Sequence, residues 1–263
     1  MNGNAYCLSR ISPVREAFEH KDWVAIGGLD PYGQHQSLWK LFDLPRTSSP
    51  EKTPFLFRSE LSDGLPLFYV LSRAAPRDAS GKWCIDSREY RPDLRAGDRF
   101  AFKLRANPVS LAKKDRESGE AEAWRKSREK NGLRIKDITR KRIRHDVVMD
   151  AKQRMGWKDL PPDERPSLAH LAYEAGSCWL REKEARLGCR IESECLRVDS
   201  HFVHCLKGRR DEKGIWRGIA LSTLDFEGEL SVTDPDIFLP ALLNGIGPAK
   251  AFGCGLLLVR RLG

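Results

Sequence analysis

Eleven residues, Gly245-Ile246-Gly247-Pro248-Ala249-Lys250-Ala251-Phe252-Gly253-Cys254-Gly255, constrain this chain more than any other stretch. Four glycines and a proline leave little side chain to bury and give the backbone unusual freedom, so the segment reads as a loop. Upstream, Asp234-Pro235 supplies a helix N-cap and a proline at the first helical position. Ile237, Phe238, Ala241 and Leu242 then recur at helical spacing, with Gly245 placed to end the helix. Downstream, Leu256-Leu257-Leu258-Val259 suits a short buried strand. The unit is helix, glycine loop, strand, with one lysine in the loop. Backbone amides at Gly245, Gly247, Gly253 and Gly255 together with Lys250 can hold a phosphate. A plain helix-to-strand crossover accounts for the same glycines, and a lone glycine pattern does not decide between them. No Gly-Lys-Ser/Thr ends the loop, and it follows a helix rather than a strand, so it is neither a Walker loop nor a dinucleotide loop.

The chain has 263 residues, 40% of them hydrophobic, which suffices for one large domain or two small ones. No run approaches the roughly twenty apolar residues of a spanning helix, and the first thirty residues hold no signal-peptide core. A cytoplasmic protein with no membrane association is expected. Seven cysteines, none in a C-x-x-C pair, point to free thiols in a reducing compartment. His201-x-x-His204-Cys205 alternates along a predicted strand without a second ligand pair, so no metal is expected there. The formal charge is +9, and the stretch from Lys113 to Arg144 alone carries thirteen basic and six acidic residues. A local excess of this kind points to a polyanion, usually nucleic acid, though a solvated arm would look the same.

In chain order, residues 6–15 read as a first strand. Asp30-Pro31 opens a helix with Leu38, Trp39, Leu41 and Phe42 on its apolar face. Tyr32 and His35, three apart in its first turns, share one face. The positive end of a helix favours neutral imidazole, and with a phenol beside it the pair is competent for proton transfer; most such pairs are merely structural. Thr53–Phe57 and Leu67–Ser72 read as strands. Arg99–Arg105 alternates, with Phe100, Phe102 and Leu104 inward and Arg99, Lys103 and Arg105 outward. This strand is expected to close a first domain at residues 1–110. Residues 111–140 read as a charged linker or insertion, helical around Glu120–Lys130. Residues 141–263 read as a second domain: Val147-Val148-Met149 as a strand, an amphipathic helix over Leu168–Trp179 ended by Gly188, and strands at Arg190–Leu196 and His201–Leu206. A basic hairpin tip at Lys207, Arg209 and Arg210 leads to a strand over Ile219–Phe226 with a bulge at Gly228, and then the glycine unit. The order fits α+β architecture, two tandem ferredoxin-like (RRM-like) βαββαβ domains.

Four stretches then carry a resemblance: Asp30–Phe42, Phe102–Pro108, Phe226–Pro235 and Gly245–Leu257. In that order they resemble the motifs of the CasE family, the repeat-processing endoribonucleases of type I-E CRISPR systems and subunits of Cascade. The resemblance implies tandem ferredoxin-like domains, and metal-independent cleavage of precursor CRISPR RNA at the repeat hairpin by attack of the adjacent ribose 2′-OH. It implies products with a 5′-hydroxyl and a 2′,3′-cyclic phosphate or its opened form, and no cofactor. His35 would be base or acid and Tyr32 would assist it. Partners would be the CRISPR repeat hairpin RNA and other Cascade subunits. Because RNA duplex is read by shape and phosphate, Lys103, Arg105, Arg142, Arg144, Lys207, Arg209, Arg210, Lys250 and the four loop glycines are the RNA-binding candidates. A non-catalytic hairpin-binding subunit is the alternative. The stretch Lys113–Arg140 is longer and more charged than the family pattern.

Overall fold

The computed structural model describes residues 6–26, 31–43, 54–132, 135, 139–206 and 219–263. The chain forms two compact units, one of residues Met1–Pro108 with Leu168–Gly263, the other Val109–Ser167.

The larger unit begins with β1 (Tyr6–Pro13), helices α1 (His20–Ile26) and α2 (Pro31–Trp39), then β2 (Phe55–Ser62), β3 (Leu65–Ser72) and β4 (Trp83–Tyr90). These strands make one antiparallel sheet in the order β2-β3-β1-β4. The first and third strands in the middle, second and fourth outside, is the ferredoxin-like order. One helix of that plan is missing, since residues 73–82 join β3 to β4 without one. Asp78 explains this locally: its carboxylate accepts from Ser80 N at 2.8 Å and Trp83 N at 2.7 Å, closing a turn instead of starting a helix.

Arg99–Ala106 forms β5 and does not close this sheet. Its alternation alone suggests the last strand of the first half; the structure makes it the first strand of the second. The intervening unit then contributes β6 (Val109–Asp115), α3 (Ser118–Lys130), β7 (Arg140–Asp146) and α4 (Val147–Arg154). The charged segment therefore includes the expected helix, flanked by two strands that pair with each other. Val147–Met149, expected as a strand, begins α4, because the Asp146 side chain accepts from Met149 N at 2.7 Å and caps the helix.

The larger unit resumes with α5 (Leu168–Arg181), α6 (Glu184–Leu187), β8 (Cys189–Ile191), β9 (Arg197–Leu206), β10 (Ile219–Val232), α7 (Pro235–Asn244) and β11 (Leu257–Arg261). Gly188 ends the short α6, not the amphipathic helix, which stops at Arg181. The second sheet runs β11-β5-β10-β8, with β9 also on β10. With β8 and β9, both paired to β10, counted as one split second strand, the order from β5 is again fourth, first, third, second, so the fold is α+β with two ferredoxin-like halves. Gly228 pairs regularly with Phe102; the register shift falls between Thr223 and Asp225, not at Gly228.

Two apolar clusters set the layers around the first sheet. Ile11, Phe55, Phe57, Phe68 and Val70 bury one face against Ile26 of α1, Leu38 of α2, and Leu41 and Phe42 just beyond it. Leu56 and Leu71 bury the opposite face against Leu256. The alternation of Phe55, Leu56 and Phe57 along β2 thus ties α2 to one side and the C-terminal segment to the other. Among the described residues, no helix is long and apolar enough to cross a membrane.

Candidate active site

Asp234 caps α7, accepting from Asp236 N at 2.9 Å and Ile237 N at 3.2 Å, and Gly245 ends the helix at φ +74°. The loop that follows is pinned at its base: Ile246 N donates to Gly255 O at 2.8 Å, and Gly255 N donates to Arg105 O at 2.7 Å. Lys250–Phe252 forms one 3-10 turn, entered through Ala249 at φ +63°, a left-handed conformation uncommon for a residue with a Cβ. That turn packs against α2 and β2. Folding therefore brings Lys250 to the helix that carries Tyr32 and His35, more than two hundred positions earlier in the chain.

Tyr32 and His35 occupy successive turns, yet their surroundings differ. Tyr32 is 51% exposed, its ring 6.3 Å from that of Phe252. His35 is only 8% exposed, because one turn further along α2 lies over the aromatic residues of β2. Its ring centroid sits 5.2 Å from Phe55, 6.0 Å from Phe57 and 5.5 Å from Trp39. The shared face inferred from spacing is thus a boundary between solvent and core. Lys250 is half-buried, and burial lowers its pKa below the usual lysine value. No ion pair to it is found among the described residues. A partly desolvated ammonium lacking a carboxylate is suited to take a phosphate oxygen.

The loop glycines divide by role. A Cβ on Gly245 would meet Leu56 Cδ1 at 2.8 Å, so this glycine allows the loop to close on β2. Gly255 allows the close approach of Ile246, Gly247 lies against the Trp179 ring and Gly253 against Phe57.

The other candidates lie on other elements of the chain. Lys103 Nζ pairs with Glu227 Oε1 at 2.9 Å. Arg105 donates through Nε and Nη2 to the two Asp225 oxygens at 2.9 and 2.7 Å. Both cations belong to a cross-strand ladder of ion pairs on β5 and β10, in which Arg99 also reaches Glu229 at 2.7 Å. Arg144 is exposed on β7, and Arg142 lies in β7 opposite Lys113. Lys207, Arg209 and Arg210 lie outside the described residues. The ladder continues into a network missed by sequence reasoning. Arg58 on β2, 4% exposed, donates to Glu60 Oε1 at 2.9 Å and Asp225 Oδ1 at 3.2 Å, while Arg105 Nη1 reaches Ser59 O at 3.2 Å. The signal was an arginine two positions after Leu56, on the same face of an apolar strand.

Fold and site together define a tandem ferredoxin-like protein in which a glycine-rich loop of the second half roofs a tyrosine–histidine helix of the first. Residues 7–261 match the CRISPR associated protein family, and the chain belongs to it. It is 25% identical over 231 residues to the CRISPR system Cascade subunit CasE of Escherichia coli (strain K12), covering 87% of this chain and 90% of that one. It is 26% identical over 236 residues to the CRISPR-associated endoribonuclease Cse3 of Thermus thermophilus, covering 88% and 90%. The structure of CRISPR endoribonuclease Cse3 bound to 19 nt RNA superposes with a TM-score of 0.60 at 21% identity, covering 97% of this chain and 99% of that one.

Proposed function

We propose that this protein is a CRISPR repeat-processing endoribonuclease that cuts precursor CRISPR RNA at the repeat hairpin and stays with the guide as a subunit of Cascade. Membership of the CRISPR associated protein family supports the reading, as do relatives named CasE and endoribonuclease Cse3 along nearly the whole chain. The observation that carries it is the seating of the Lys250 turn on the helix bearing Tyr32 and His35.

The chemistry implied by the family resemblance suits these residues. The ribose 2′-OH beside the scissile bond loses its proton and attacks the neighbouring phosphorus; the 5′-oxygen leaves and takes up a proton. The products are a 5′-hydroxyl and a 2′,3′-cyclic phosphate, which opens to a 3′-phosphate. An internal nucleophile needs no metal-bound water. His35 transfers one of these protons with the assistance of Tyr32, each proton transfer contributing about 10²–10⁴-fold. Lys250 faces the charge that grows on the phosphate, and the loop amides align the backbone. Arg142, Arg144 and the basic segment containing Lys207, Arg209 and Arg210 grip phosphates of the stem. Lys103 and Arg105 are already paired with carboxylates and contribute little.

The near-complete burial of His35 favours a second reading, a hairpin-binding subunit that does not cut. Single-turnover cleavage of repeat hairpin RNA in EDTA separates the two. Wild type is expected to cut, and His35→Ala to lose about 10²–10⁴-fold in rate with its RNA affinity kept. Equal rates for both proteins would remove His35 from the mechanism. Absence of cutting by wild type would leave the binding subunit.

A further inference from the structure

Gln34 lies between Tyr32 and His35 in sequence but turns to another side of α2, where a cavity of about 380 Å³ opens beside the β2–β3 hairpin. Trp23 of α1 lines it, with Ser59 and Leu61 of β2 and, from the 3-10 turn that follows β1, Arg15. None of these side chains takes part in the cleavage step proposed above.

The lining is built and mixed in character. The Trp23 ring packs 4.8 Å from that of Phe18, which stands edge-on to Trp83 at 5.0 Å, so the aromatic wall is backed by the core. Gln34 Nε2 donates to Ile26 O at 3.3 Å, which fixes the amide and uses one of its two donors; among the described residues no other bond to that side chain is found. Arg105 Nη1 donates to Ser59 O at 3.2 Å and holds β2 in place at the cavity. Arg15 is exposed, and no ion pair to it is found among the described residues. A dry packing gap is lined by apolar groups alone, whereas here an indole, an amide, a hydroxyl and a guanidinium converge.

That set matches one chemical class. An indole stacks on a flat base, an amide with a donor and an acceptor to spare pairs with a base edge, and a guanidinium takes the attached phosphate. The volume admits one base with its sugar but not a helix, which is about 10 Å across. Bases within an RNA duplex stay stacked behind a narrow groove, so only an unpaired one can enter.

We propose that this cavity is a pocket for one unpaired nucleobase of the RNA beside the hairpin stem, stacked against Trp23, read by Gln34 and anchored through its phosphate by Arg15. The RNA class rests on the function proposed above. Because Gln34 directly precedes His35, a base seated there sets the register of the strand along α2.

The test uses repeat hairpin RNA with 2′-deoxyribose at the cleaved position, each unpaired nucleotide beside the stem being made abasic in turn, and the bare stem as control. Wild type is expected to lose about 5- to 150-fold in affinity at one flanking position. Gln34→Ala loses about 2- to 10-fold on the intact RNA and much less on the RNA abasic at that position, while binding the bare stem as wild type does. Arg15→Gln flattens the slope of log affinity against log salt by about 0.7 on the intact RNA and leaves it unchanged on the bare stem. A wild type indifferent to every abasic position overturns the pocket. So do losses from Gln34→Ala that simply add to those from the missing base, losses that persist on the bare stem, and an Arg15→Gln slope equal to that of wild type. Wild-type protein that does not bind the hairpin at all takes the proposed function down with the pocket; hairpin binding without the flanking-base effect removes the pocket alone.

Discussion

The fold holds His35 as a core residue, whereas the function proposed for it requires a reactive one. Three aromatic rings enclose it, while the lysine turn lies against the same helix. Lys250 is the residue at which these roles separate most clearly. Lys250→Ala should slow cleavage of bound RNA by about 10²-fold, and Lys250→Arg should recover affinity more than rate, because charge returns without the original reach. Single-turnover rates at saturating RNA, set beside dissociation constants, check this. Two thiols make a different prediction. Burial raises Cys189 and Cys254 to about 12 from an unfolded value near 9. Between those values the unfolded chain has lost protons that the folded chain retains. Stability is therefore complete below about pH 9 and declines as pH rises toward 12, by up to about 1.4 kcal/mol per pH unit for each thiol. Urea midpoints at pH 8 and pH 10, with Cys254→Ala expected to flatten the decline, test it.

At the scale of elements, the glycine loop is a fitted part, not slack chain. Gly255 has φ +93°, and a Cβ there would lie 2.8 Å from Ile246 O. Gly255→Ala should cost about 1–3 kcal/mol by urea unfolding. Gly64, in the β2–β3 turn at φ +74° with open space around it, should cost about 1 kcal/mol when changed to alanine, the backbone penalty alone. Local chemistry made several elements readable in advance: the Asp234-Pro235 cap, the glycine stop and the alternation of Phe100, Phe102 and Leu104 all describe what formed. Val147–Met149 misled because three apolar residues suit either a strand or a first helical turn, and a cap at Asp146 decides which. The Tyr32–His35 spacing was readable, whereas the burial separating the two depends on where β2 passes beneath α2.

For the molecule as a whole, the ion network on Asp225 joins the halves. Arg58 reaches it from the first sheet and Arg105 from the second. Asp225→Ala leaves two guanidinium groups inside with Glu60 as the remaining carboxylate of the cluster, and should cost about 3–5 kcal/mol, seen as a lowered urea midpoint. Asp225→Asn, which keeps the shape but not the charge, should cost less. The amino-acid sequence by itself determined the kinds of element, the glycine hinge into the last strand, the basic excess before residue 144 and the family motifs, because caps, periodicity and composition act within a few residues. Only the tertiary structure decided that Arg99–Ala106 opens the second sheet, that Lys103 and Arg105 are spent on carboxylates, and that Lys250 comes to rest on the helix of Tyr32 and His35. Strand pairing and charge pairing join residues more than a hundred positions apart, and no local preference specifies which of several complementary partners a strand or a cation will meet.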